Sequence, residues 1–293
     1  MSISSSRVPL GIACITSGIF CLTVSDTLAK WLGHMYSPMQ ILFLRGGLAA
    51  IVLLGLAAAA GGRQALQTMH PGIHLLRGAL NVAAAYCFYL SLTMLPQAEA
   101  TAIAFSAPFF VTIISVLFLK EKVALGGWLA LCIGFAGVVL VARPDPGHVQ
   151  WAALLPLATA LAYAVMMTTA RYIKAQESML TMMLYLALGQ AVFAGPLSVP
   201  VWQPIQSGHL LGFAGIALFS TLGLGLISQA FRVAPASIVA PFDYSGLIWA
   251  ALFGWLVWHE IPSSWFYVGA LLITCSGIYV ALFHERSAAK KPS

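Results

Sequence analysis

The chain alternates between long apolar runs and short polar breaks, and nowhere sustains a residue-by-residue alternation of the two. Ten runs stand out, at residues 8–32, 39–60, 73–95, 97–119, 124–142, 151–173, 179–200, 208–230, 235–258 and 264–283. Each approaches the roughly 20 apolar residues that a helix needs to cross bilayer hydrocarbon. A membrane β-barrel would instead read as alternating segments of about ten residues. The pattern predicts an all-α integral membrane protein of ten transmembrane helices. The first run outlasts the roughly 7–15 apolar residues of a cleaved signal and contains Asp26 and Lys30, so it reads as a retained helix.

Composition narrows the function classes. Of 293 residues, 60% are hydrophobic and 8% charged, against about a quarter charged in soluble domains. The short loops leave no room for a soluble catalytic domain. Cys14, Cys21, Cys87, Cys132 and Cys275 all fall in apolar runs without metal-site spacing, so no metal or cofactor is expected. An enzyme acting on lipid-linked substrates would cluster acids or histidines at one membrane face. Here His34, His70, His74, His148, His209, His259 and His284 are scattered. No GxxxxGK[ST] loop is present, which argues against a self-powered pump and implies no ATPase subunit.

The formal charge of +6 is a topology signal rather than a nucleic-acid surface, because no basic domain exists to carry one. With the amino terminus inside, cytoplasmic ends collect Arg7, Arg63, Arg77, Lys120, Lys122, Arg171, Lys174, Arg232, Arg286, Lys290 and Lys291. The other side receives Lys30 and Arg143. That asymmetry predicts that both termini are cytoplasmic.

The chain also repeats. Pro96 and Glu121 bracket the fourth run, and Pro235 and Glu260 bracket the ninth at the same 25-residue spacing. FAGVVLV from Phe135 aligns with CSGIYVA from Cys275, and Ala29, Lys30 and Trp31 align with Ala170, Arg171 and Tyr172. Two domains are expected, 1–147 and 148–293. Five helices per half is an odd number, so the second copy enters the membrane upside down. Transporters built this way hold solute near the midplane, at the seam of the repeats.

Against this background the sequence resembles the drug/metabolite transporter superfamily, and within it the ten-helix EamA-type exporters. The likeness lies in LLRGALNVAAAYCFYLSLTMLPQAEATAIAFSAPFF from Leu75, FLKEKV from Phe118 and GWLALCIGFAGVVLV from Gly127. It recurs in APASIVAPFDYSGLIWAALFGWLVWHEIP from Ala234 and GALLITCSGIYVA from Gly269. The resemblance implies a helical basket around a central cavity in a bacterial inner membrane, exporting amino acids or related metabolites by alternating access. The chain is also compatible with the YddG-type branch of aromatic amino-acid exporters. Asp243, Tyr244 and Ser245 depart from the family pattern, which more often has apolar residues there. Uptake or exchange of a vitamin or nucleoside-like metabolite is the alternative within transport, and a membrane enzyme acting on lipid-linked substrates or a passive channel the alternatives outside it.

Ionisable groups deep in a bilayer are costly, which makes each a functional candidate. Asp26 and Lys30 are one turn apart and can pair along one face, as a gate or as a snorkelling couple. Arg45 suits a carboxylate, with Asp26, Glu99 or a solute as its partner. Arg77, Asn81 and Tyr89 share a stripe of the third helix. Asp243 has no basic residue within a turn, and recognition of a substrate amine, proton coupling or a neutral acid bonded across the bundle are its three readings. Pro108 and Pro241 interrupt the two equivalent helices, as kinks or hinges. Around them Tyr86, Tyr89, Phe105, Ser106, Tyr163, Tyr244, Ser245 and Trp249 could wall a cavity for a bulky amphipathic small molecule, or could be ordinary packing in lipid.

Overall fold

The computed structural model describes residues 8–59, 67–119, 125–142, 151–173 and 177–289. Outside them lie Arg7, Arg63, Lys120, Glu121, Lys122, Arg143, His148, Lys174, Lys290 and Lys291, together with the expected junction at 147/148.

Helices form where the apolar runs stand, because a backbone in hydrocarbon must satisfy its hydrogen bonds internally. They are α1 (Val8–Gly33), α2 (Pro38–Ala59), α3 (Pro71–Leu92), α4 (Gln97–Ala104), α5 (Ala107–Leu119), α6 (Leu125–Ala142), α7 (Leu154–Ile173), α8 (Met179–Ser198), α9 (Leu210–Val233), α10 (Ala236–Val239), α11 (Ser245–Trp258) and α12 (Ser264–Ala289). The pairs α4/α5 and α10/α11 each make one broken span, which gives ten helical units among the described residues. Eight stretches are long and apolar enough to cross a membrane, and Ser264–Tyr279 is a shorter apolar helix.

Packing reveals the two-fold plan. The first unit of each half lies on the third unit of the other, α1 along α9 and α7 along α3. The second, fourth and fifth units meet their own counterparts, as α2 with α8, α4 with α11 and α6 with α12. Two five-helix repeats of opposite orientation, closed around a central cavity, give this pairing. Small residues allow it: a Cβ on Gly78 would stand 2.8 Å from the Cα of Gly189, and one on Gly137 would stand 2.7 Å from the carbonyl oxygen of Gly269.

Both broken spans are interrupted at corresponding places. Pro108 has no N–H for the carbonyl of Ala104, the last residue of α4, and the chain turns through Phe105 and Ser106 before α5. In the other repeat Pro241 opens a 3-10 turn, Ala240–Tyr244. Phe105 and Tyr244, 139 positions apart in sequence, meet with ring centroids 5.0 Å apart.

Candidate functional site

One end of the bundle is fastened by an ionic clamp. Residue His259 takes a left-handed conformation, φ 55°, at the end of α11, and the N–H of Glu260 returns to the carbonyl of Gly254. This Schellman-type turn aims Glu260 back across the helix end. Its Oε1 accepts from Lys30 Nζ at 2.5 Å, and its Oε2 accepts from the N–H of Gln97 at 3.0 Å, in the first turn of α4. Lys30 Nζ also donates to the carbonyl of Leu95 at 3.1 Å and lies 4.8 Å from the Trp258 ring centre. The expected Asp26–Lys30 pair is therefore not formed. A shared helix face brought the two side chains near each other, but a carboxylate from the other repeat supplied a buried partner for Lys30.

Asp26 belongs to a second group. Arg45 Nη1 donates to the Tyr89 hydroxyl at 2.6 Å, and the Arg45 guanidinium and the Asp26 carboxylate are charged neighbours. Arg45 thus has Asp26, one of its expected partners, as a charged neighbour, but no ion pair joins the two. Glu99 lies instead on an outward rim with Pro96 and Trp151. Asn81 donates to Gln190 at 3.2 Å and, with Arg45, borders a small cleft between α2, α3, α8 and α9.

Towards the opposite end, a cavity of about 190 Å³ lies between the two broken spans. Phe105, Pro108, Phe109, Asp243, Tyr244 and Gly277 are among its lining residues. Tyr163 of α7 has Asp243 and Arg77 as its charged neighbours. Tyr163 is 44% exposed. Arg77 is 6% exposed, and its Nη1 has no hydrogen-bond partner among the described residues. The hydroxyls of Ser106 and Ser245 are buried and likewise unpartnered.

Two aromatic candidates sit elsewhere. Trp249 packs edge-on against Phe20, with centroids 5.1 Å apart, and Tyr86 is half-buried against the apolar core. Neither lines the cavity between the hinges.

Sequence reasoning missed a latch at the end that carries Arg77. Glu177, between α7 and α8, accepts from Thr68 Oγ1 at 2.5 Å and lies 2.6 Å from His74 Nε2. Burial works to raise the Glu177 pKa, but the hydrogen bonds from Thr68 and His74 outweigh it and hold the carboxyl below its ordinary range. At the other end Tyr36, from the equivalent connection in the first repeat, meets His209 Nδ1 at 2.8 Å. The available signal was scarcity: with eight acids in the chain, Glu177 and Glu260 both merited a partner.

Comparisons with known proteins agree with this architecture. The EamA-like transporter family matches twice, over residues 9–143 and 150–283. An S-adenosylmethionine uptake transporter of Rickettsia prowazekii is 25% identical over 281 residues, covering 96% of this chain and 95% of its own. A riboflavin transporter of Vibrio cholerae is 28% identical over 295 residues, covering 99% of both chains. A crystal structure 17% identical in sequence shares the fold, with a TM-score of 0.64 over 94% of this chain and 98% of that one.

Proposed function

The chain belongs to the EamA-like transporter family, and from that premise we propose that it is a secondary transporter taking up or exchanging a vitamin- or nucleoside-like metabolite. The observation that carries this reading is the cavity between the hinges, shut at the Lys30 end by a partly buried ionic clamp and floored by the tilted Phe105–Tyr244 ring pair. A volume of about 190 Å³ seats a fused ring, while a complete ligand site usually spans about 300–1,000 Å³. The remainder of the solute extends towards Tyr163 and Arg77. Similarity to transporters of S-adenosylmethionine and riboflavin supports a heteroaromatic solute more than it supports amino-acid export of the YddG type.

In this reading the repeats are the segments 1–147 and 148–293, and the charge asymmetry puts both termini and the His74–Glu177 latch on the cytoplasmic side of a bacterial inner membrane. The Lys30 clamp then closes the outer mouth, and the structure faces inward. Alternating access follows from breaking the clamp while the equivalent elements of the other repeat close.

Counterflow in proteoliposomes tests the proposal. Vesicles preloaded with unlabelled solute should transiently accumulate labelled S-adenosylmethionine or riboflavin, with saturation. Counterflow confined to aromatic amino acids would restore the exporter reading, and flux that never saturates would indicate a channel.

A further inference from the structure

The interior charges divide into satisfied and unsatisfied groups. Lys30 is held by Glu260, Glu177 by Thr68 and His74, and Arg45 by Tyr89, while Asp26 has the Arg45 guanidinium as its charged neighbour without an ion pair among the described residues. Arg77 and Asp243 differ. Neither makes an ion pair or a side-chain hydrogen bond among the described residues, and the Nη1 atom of Arg77 is buried without a partner. Glu177 is a charged neighbour of Arg77, but its oxygens are already engaged by Thr68 and His74.

The two charges lie at a similar depth from one end of the bundle. Arg77 is six residues into α3, about 9 Å along the helix axis. Asp243 is seven residues beyond the start of α10, about 12 Å along the axis when the larger rise of the 3-10 turn is included. Tyr163 has both as charged neighbours, and Asp243 opens into the cavity. A buried charge without a partner is strongly unfavourable. That applies to Arg77; Asp243 is part-buried at the cavity, and the two charges form no ion pair with each other. A neutral solute leaves both charges unsatisfied, a simple ion satisfies one, and a zwitterion satisfies both.

We propose that Arg77 and Asp243 are the two ends of an amphoteric clamp, which takes the anionic and cationic groups of an amino-acid-like head on the transported metabolite. The proposal rests on the reading of a nucleoside- or vitamin-like solute and selects, within it, the zwitterionic members. The heteroaromatic part lies against Phe105 and Tyr244, and the charged head lies beside Tyr163.

Two adenosine thioethers test the clamp, because they share the ring system and differ in the head. S-adenosylhomocysteine carries the amino-acid group, and 5′-methylthioadenosine lacks it. Calorimetric titration of the full chain in lipid nanodiscs should give at least tenfold tighter binding of the former. Arg77→Gln and Asp243→Asn should each bring that ratio close to one, while Arg77→Lys, which keeps the charge, should retain most of it. Melting curves report whether each variant is folded, and the wild-type ratio decides the matter without them. A wild-type ratio near one, or a ratio that survives in both neutral variants, overturns the clamp. Binding of methylthioadenosine or riboflavin without preference for the head would overturn the clamp alone. Binding of none of the three compounds would overturn the underlying solute reading as well.

Discussion

Replacing Glu260 by glutamine removes one charge from the Lys30 clamp while keeping an oxygen to accept from the N–H of Gln97. The ammonium left behind has a side chain 4% exposed, against 23% for Glu260. Removing one member of a buried ion pair costs about 3–5 kcal/mol. The carbonyl of Leu95 and the Trp258 ring still serve the ammonium, and Glu260 is partly wet, so the cost falls at the lower end, about 3 kcal/mol. If the clamp forms only when this end is closed, that cost falls on the closed state alone and shifts the equilibrium towards the open state about a hundredfold. Spin labels at Met94 and Ile261, 58% and 79% exposed at this end, on a background with the five cysteines replaced, can read the change. Dipolar spectroscopy should show one short-distance population in the wild type and a dominant longer one in Glu260→Gln. The double variant Lys30→Met/Glu260→Gln, with no orphaned charge, should melt higher than Glu260→Gln. An unchanged distance distribution in Glu260→Gln, or a double variant no more stable than the single, would refute the reasoning.

Three further outcomes follow from the geometry. Gly78→Val should separate α3 from α8 and destabilise the fold by roughly 1–3 kcal/mol in thermal melts, whereas Gly47→Ala, inside α2 with nothing within 4 Å of the added Cβ, should raise the melting temperature slightly through helix propensity. The depressed pKa of Glu177 means that its contribution to stability is complete above the ordinary glutamate range and is lost as pH falls through the lowered folded value. The gap in melting temperature between wild type and Glu177→Gln should therefore close on acidification below about 4.5, the ordinary glutamate value; a gap that widens below that pH would reverse the sign. His259→Gly relieves the left-handed conformation, which costs a non-glycine residue about 1–2 kcal/mol, and should raise the melting temperature.

The ten spans were legible because membrane crossing imposes a length and an apolar composition that no local detail can disguise, and the observed helices end within a few residues of the expected runs. The hinges were half legible. Pro108 and Pro241 marked the right spans, but the turn at Phe105–Ser106 precedes Pro108, because the missing N–H frees a carbonyl four residues back. The ionic contacts were the least legible part. Helical spacing put Asp26 and Lys30 on one face, while Lys30 found its carboxylate 230 positions away, in the oppositely oriented repeat. Local periodicity tells which side chains share a face and is silent on which repeat faces them. Similarly, Arg77 was recognisable as a stripe partner of Asn81 and Tyr89, but its lack of a hydrogen-bonded counter-charge among the described residues emerges only from the packed structure.

Alternating access requires a cavity that opens to one membrane face at a time. Tyr163→Cys, as the sole cysteine in membrane vesicles, tests this with an impermeant maleimide applied from each side. The side chain at 163 should react from the face that carries His74 and be protected from the face that carries Lys30, and Glu260→Gln should reverse that preference. Equal reaction from both faces, or reaction from the Lys30 face with the clamp intact, would contradict it.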